Sequence, residues 1–131
     1  MSAYRYVNEI MEMYSGREDK RYEMHTERGT EYPFVIDVDG KDMGCLFLYT
    51  SSMLRYGLVE IMHFRIYKPR NGLGSKILRL LCSKADEHNV TLYIMPVADK
   101  DNGAIPLWKL KDWYREFGFV GDISMEREPH A

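Results

Sequence analysis

The chain has 131 residues, 45% of them apolar, which suits one folded domain over residues 1–131 and excludes a disordered chain. With 18 Lys and Arg against 20 Asp and Glu, the formal net charge is −2 and both signs are spread along the sequence, which argues against a dedicated nucleic-acid binder. Two cysteines, Cys45 and Cys82, lie in apolar runs, and the four histidines are scattered, so there is neither a disulfide framework nor a metal-ligand spacing.

Val7, Ile10, Met11 and Tyr14 recur at helical spacing, which predicts an amphipathic helix over residues 3–14, closed by Ser15-Gly16. Residues 17–31 are polar and fit either a loop or a short strand around Tyr22 to Met24. Phe34, Ile36 and Val38 alternate with Val35 and Asp37, and a second strand-like run covers residues 43–49. Asp39-Gly40 between them is a hairpin signal, because both central residues of such a turn take positive φ. Gly57 opens a third strand over residues 58–67.

The period then changes. Leu73, Ile77, Leu80, Leu81 and Lys84 mark one side of a helix over residues 73–88, with Asn89 as a left-handed cap. Residues 90–97 read as a fourth strand and 98–105 as a loop carrying Asp99, Asp101 and Asn102. Pro106 is placed as the first residue of a last helix, whose apolar face is Leu107, Leu110, Tyr114 and Phe117 and which Gly118 ends. One final strand follows over residues 119–125. The order is that of an α+β fold: an antiparallel hairpin, then a strand–helix–strand crossover whose two strands are parallel. No stretch is long and apolar enough to span a bilayer, and the start lacks the apolar region of a signal peptide, so a cytoplasmic setting is expected.

Gly72-Leu73-Gly74-Ser75 stands between a predicted strand and a predicted helix. A helix N-terminus offers unpaired N–H groups and partial positive charge, and glycine lets a phosphate approach them. A Walker A loop ends in Gly-Lys-Ser/Thr, whereas this chain has Gly-Ser-Lys. A Rossmann fingerprint needs a third small residue where Ile77 stands, and a parallel sheet from the outset. A bare helix cap remains the bland alternative.

The segment V-E-I-M-H-F-R-I-Y-K-P-R-N-G-L-G-S-K, residues 59–76, resembles the acyl-CoA motif of the GNAT superfamily of N-acyltransferases. Downstream, W-Y-R-E-F-G-F, residues 113–119, resembles that family's second signature, and the likeness spans about residues 34–125. The resemblance implies the GNAT fold, a mixed and mostly antiparallel sheet around a central strand–helix–strand crossover. It also implies acetyl-CoA as co-substrate, no metal, and transfer of an acetyl group to an amine by direct attack in a ternary complex. The acceptor would be a protein lysine, a protein N-terminus or a small polyamine. By the same resemblance, Phe64, Arg65 and Ile66 would offer backbone to the pantetheine arm and the thioester carbonyl. Arg70, Asn71, Gly72, Leu73, Gly74 and Ser75 would hold the pyrophosphate.

Glu60, an acid in an apolar strand, is the candidate base, since burial would raise its pKa; the alternative is a carboxylate paired with a nearby Arg or Lys. His63, by strand alternation, is placed on the opposite face, where it reads as a core or surface histidine or, alternatively, as a base acting through water. Tyr114 is the candidate acid for the departing thiolate, or else a core tyrosine. Trp108 and Trp113 read as packing residues, and the acids Glu27, Glu31, Asp99 and Asp101 as either a lure for a cationic acceptor or a solvated face.

The chain departs from the family pattern in three places. Pro69 stands where an Arg or Gln is usual, with Arg70 one place late, and an asparagine common ahead of the tyrosine is absent. Only 13 residues follow Gly118, room for one strand, which a second chain would complete in a homodimer. These departures keep a second function open, a non-catalytic module that binds coenzyme A or a protein.

Overall fold

The computed structural model describes residues 2–14, 24–25, 29–50, 57–67, 72–97 and 105–130. Three helices and a seven-stranded sheet make up these segments, and the strands lie in the order β1-β2-β3-β4-β5-β7-β6. Helix α1, Ser2–Tyr14, buries Ala3, Tyr6, Val7, Ile10 and Met11; Val7, Ile10 and Met11 are the residues its spacing predicts, and Tyr14 is half-buried. The short strand β1, Met24–His25, pairs with β2 and resolves the choice left open for this stretch in favour of a strand.

Strands β2, Thr30–Val38, and β3, Lys41–Thr50, form the predicted hairpin, with β2 starting earlier than its apolar alternation indicates. Asp39 and Gly40 take φ of 53° and 80°, the pair of positive angles that joins two twisted strands with least distortion. Burial alternates along both strands, so Tyr32, Phe34, Ile36, Leu46 and Leu48 fill one face and the intervening residues are half-buried on the other. Strand β4, Leu58–Ile66, runs antiparallel to β3 and parallel to β5, Thr91–Ile94. At Gly44 the β3 and β4 backbones meet closely: a Cβ there would stand 2.1 Å from the Arg65 carbonyl oxygen.

Helix α2, Leu73–His88, has the predicted bounds, and Asn89 caps it in the left-handed region at φ 57°. The Val90 N–H reaches back to the Ala85 carbonyl at 2.8 Å, closing the turn. Its buried stripe is Ile77, Leu78, Leu81, Cys82 and Ala85; Ile77 and Leu81 are as predicted, whereas Leu73, Leu80 and Lys84 are only half-buried. The helix is pressed on by both the sheet and α1, and Lys84 turns outward to Glu9 at 2.8 Å and Glu87 at 3.0 Å. The Tyr6 hydroxyl donates to the Leu81 carbonyl at 2.9 Å, so the α1–α2 contact satisfies its buried polar group.

The predicted fourth strand is cut to Thr91–Ile94, since Pro96 has no N–H to give a ladder. Pro106 is the cap of helix α3, Leu107–Glu116, not its first residue: its backbone is extended, and its carbonyl accepts from the Lys109 and Leu110 N–H groups at 3.1 Å each. Tyr114 is the buried residue of this helix, and Leu107 is exposed. The 13 residues after Gly118 make a hairpin, β6, Val120–Gly121, and β7, Met125–Arg127, where one strand was expected. Gly121, at φ 130°, permits the tight reversal, and β7 pairs with β5 through Ile94↔Met125. The chain thus supplies its own neighbour for β5, so the shortage of strands that motivated a completing partner does not arise.

The inner faces of β2 to β5 and β7, the buried sides of α1 and α2, and Tyr114 and Phe119 form one apolar core. Among the described residues no helix is long and apolar enough to cross a membrane.

Candidate active site

Strands β4 and β5 pair from Leu58↔Thr91 to Ile61↔Ile94 and then part. Strand β4 continues to Ile66, while β5 ends at Ile94 and the chain passes through Pro96 out of the sheet. The gap opens directly onto the start of α2. A cleft of about 360 Å³ lies there, walled by Ile61, Phe64 and Ile66 on one side and Ile94, Met95 and Pro96 on the other, with Gly72, Gly74 and Ser75 at one end and Trp113 and Tyr114 of α3 above.

The backbone along this gap has a definite polarity. The Tyr67 N–H donates to the Met43 carbonyl at 3.0 Å, so that pair exchanges hydrogen bonds with β3. Hydrogen-bonded pairs alternate along an antiparallel ladder. Arg65 therefore directs its N–H and C=O towards β3, and Phe64 and Ile66 direct theirs into the gap. Of the three residues expected to offer backbone here, two do so by alternation and Arg65 does not. The Arg65 side chain stands instead on the outer sheet face, its guanidinium carbon 5.9 Å from the Tyr67 ring centre.

At the helix end, the first intrahelical bond runs from the Lys76 N–H to the Gly72 carbonyl at 3.1 Å. The Gly74 and Ser75 N–H groups precede it and have no helical acceptor. Gly72 takes φ 77°, and among the described residues nothing lies within 4 Å of where its Cβ would be; a Cβ at Gly74 would make only an ordinary 3.7 Å contact with Ile66. No described residue fills the space in front of either glycine. Leu73 is half-buried against the core and is not part of the cleft wall. Arg70 and Asn71 lie outside the described residues, as do Glu27, Asp99 and Asp101.

Glu60 is half-buried on the outer face of β4 and does not line the cleft. Among the described residues no cation pairs with it, and burial pushes its carboxyl above the usual carboxylate range. It belongs to a row that crosses five strands in register: Glu31↔Tyr49, Tyr49↔Glu60, Glu60↔Tyr93 and Tyr93↔Glu126. Acid and tyrosine alternate along it, one level below the point where β4 and β5 separate.

The expectation for His63 is overturned. Phe47 opposes His63 and Leu48 opposes Ile61, so Met62 is an extra residue, a β-bulge. The bulge shifts the alternation by one place. Glu60, opposite Tyr49, and His63, opposite Phe47, then share the outer face, and His63 is exposed in the cleft wall.

Tyr114 is 4% exposed and lines the cleft. Burial, with the nearby Cys82 thiol adding to it, pushes its hydroxyl well above the usual range, so it stays protonated. Trp113, read from sequence as packing, has a polar contact as well: its Nε1–H donates to the Ser75 hydroxyl at 3.2 Å, linking α3 to the first turn of α2. Met62, Met95 and Ile105 of the wall carry no sequence signal as site residues, because nothing in composition separates them from core apolar residues.

No protein-family model and no curated protein sequence matches the chain. Solved structures do. Gcn5 from Tetrahymena superposes with a TM-score of 0.52 at 13% identity, over 76% of this chain and 69% of that one. Ard1 from Thermoplasma volcanium gives 0.53 at 17% identity, over 80% and 72%. A GNAT-family protein from Desulfovibrio desulfuricans gives 0.55 at 13% identity, over 76% and 69%. The chain has the GNAT fold. On the GNAT fold, the segment read from sequence as the acyl-CoA motif is β4, the loop after it and the first turn of α2, and the second signature is the end of α3 with Phe119. The short C-terminal hairpin removes one of the three departures noted above; Pro69, by contrast, lies outside the described residues.

Proposed function

We propose that the chain is an acyl-CoA-dependent N-acyltransferase that moves an acetyl group from acetyl-CoA to an amine. The observation that carries this is the parting of β4 and β5 beyond Ile61↔Ile94, directly in front of the glycine-lined start of α2. An extended pantetheine arm fits such a gap as an added strand would, taking hydrogen bonds from the Phe64 and Ile66 backbone. The Gly74 and Ser75 N–H groups and the positive end of α2 suit the pyrophosphate, with Arg70 and Asn71 proposed beside them. The apolar wall suits the rest of the arm.

In this reaction the amine gives up a proton, its nitrogen bonds to the thioester carbon, and the carbon–sulfur bond breaks. Glu60 is proposed as the base that receives the proton, and Tyr114 as the acid that gives one to the departing thiolate. A backbone N–H in the gap would stabilise the oxyanion. A hydroxyl held protonated by burial suits the acid, and a carboxyl raised by burial suits the base. The Glu-Tyr-Glu-Tyr-Glu row supports a cationic acceptor on the outer face, since carboxylates and aromatic rings both attract ammonium groups. A protein lysine, a protein N-terminus or a polyamine would each meet that description.

The test is thermal unfolding with acetyl-CoA, followed by mass analysis of candidate amines for an acetyl increment. A ligand at about 100 times its Kd adds roughly 2.7 kcal/mol and raises Tm by several degrees. No shift at millimolar acetyl-CoA would reduce the glycine turn to a helix cap and end this proposal.

A further inference from the structure

His63 stands where the proton chemistry of such a reaction would take place. Three observations define its position. The bulge at Met62 puts it on the same sheet face as Glu60. Glu60 occupies the last outward-facing level at which β4 and β5 still pair, opposite Tyr93, and His63 is the first outward-facing position beyond the split. His63 is exposed and lines the cleft, whereas Glu60 is half-buried and does not. A group that takes a proton from an amine bound at the mouth of the gap has to reach that gap. Of the two, His63 does.

We propose that His63, rather than Glu60, is the base that contacts the acceptor amine. This rests on the acyltransferase assignment above and moves the base from the half-buried Glu60 to the residue that lines the cleft. The neutral imidazole accepts the amine proton as the nitrogen–carbon bond forms. The carbon–sulfur bond breaks, the thiolate takes a proton from Tyr114, and the resting enzyme is restored as the imidazolium gives its proton to solvent and Tyr114 regains one from it. His63 pairs with Phe47, lies on the same sheet face as Glu60, Arg65, Cys45, Tyr49 and Tyr93, and shares the cleft wall with Lys109 and Tyr114.

The test uses the full chain, with acetyl-CoA as donor and spermidine or a lysine peptide as acceptor. For His63→Gln the expected result is a loss of about 100-fold in kcat/KM with the acetyl-CoA thermal shift retained. Glu60→Gln is expected to cost less. A His63→Gln variant with the wild-type rate, or a Glu60→Gln variant that loses more than His63→Gln does, overturns the proposal. A second measurement does not depend on turnover: the His63 ring resonances should move on adding desulfo-CoA. A ring unmoved by desulfo-CoA overturns the role of His63 even where acetyl transfer is active. Absence of any acetyl-CoA shift in the wild type refutes the acyltransferase assignment itself, and the role of His63 with it.

Discussion

Arg127 on β7 and Asp86 on α2 form a two-pronged ion pair, Nη1 to Oδ1 at 2.8 Å and Nη2 to Oδ2 at 3.1 Å. The same guanidinium donates to the Phe117 carbonyl at 2.7 Å and the Cys82 carbonyl at 3.4 Å, and the His130 N–H donates to Asp86 at 2.7 Å. Arg127 is 4% exposed, so one buried cation ties together the last strand, the end of α3 and the middle of α2. Arg127→Met should cost about 3 kcal/mol, because it leaves the Asp86 carboxylate with the His130 N–H alone and takes the guanidinium donor from two carbonyls. Urea unfolding would read this. The Arg127 hydrogen bond holds the Asp86 carboxyl below its ordinary value, so its contribution is present at neutral pH and lost as pH falls through the carboxylate range. Wild-type stability should therefore drop more steeply on acidification than that of the variant.

Gly74→Ala separates folding from ligand binding. The added methyl meets Ile66 at an ordinary 3.7 Å and needs no unusual φ. Unliganded stability should stay within about 0.5 kcal/mol of wild type or rise slightly, since alanine favours helix. The acetyl-CoA shift should shrink, because the methyl stands where the pyrophosphate is proposed to approach. Calorimetry with and without acetyl-CoA reads both quantities.

Glu60→Gln should stabilise the fold at neutral pH. Burial raises the folded-state pKa of this carboxyl, so the wild type is penalised for carrying the charge at any pH above that raised value. The penalty fades as pH falls towards the unfolded value, where the group is protonated in both states. The difference in Tm between variant and wild type should be small and positive at pH 7 and should vanish near pH 4.

Cys82 is 5% exposed, and burial pushes its thiol up to about 11. Cys45 is half-buried, and its thiol is also raised by burial. A thiol reagent acts on the thiolate, so both should react slowly in the folded chain. Cys45 should be modified first, and Cys82 only at the rate of unfolding. Mass analysis of timed samples would show two separate phases.

Much of this architecture is legible from local signals. Helix α2 carries a glycine before it and a left-handed asparagine after it, and the Asp39-Gly40 turn announces its hairpin. What escapes is what depends on neighbours. Nothing in V-E-I-M-H-F-R-I marks Met62 as a bulge, because the extra residue exists only relative to β3, and the face of His63 is misread in consequence. Strand β5 looks longer than it is because apolar character continues past the proline that ends its pairing. The closing hairpin is missed because its strands, Val120–Gly121 and Met125–Arg127, are too short for any periodicity. Gly72 and Gly74 in the wall of the cleft were accessible to motif reading; Trp113 was not, since its bond to Ser75 joins residues far apart in the chain.

A sheet ordinarily exposes unsatisfied backbone along its two outer margins, where evolution guards against runaway association. Among the described residues the separation of β4 from β5 leaves a third such margin in the interior of this one, along Phe64 and Ile66. Such a seam would accept an extended peptide, including a segment of another copy of this chain. Coenzyme A, bound there as proposed, would then act as a molecular chaperone for its own host. Warming the protein with and without coenzyme A while recording light scattering should show the filled form resisting aggregation beyond what its higher Tm accounts for.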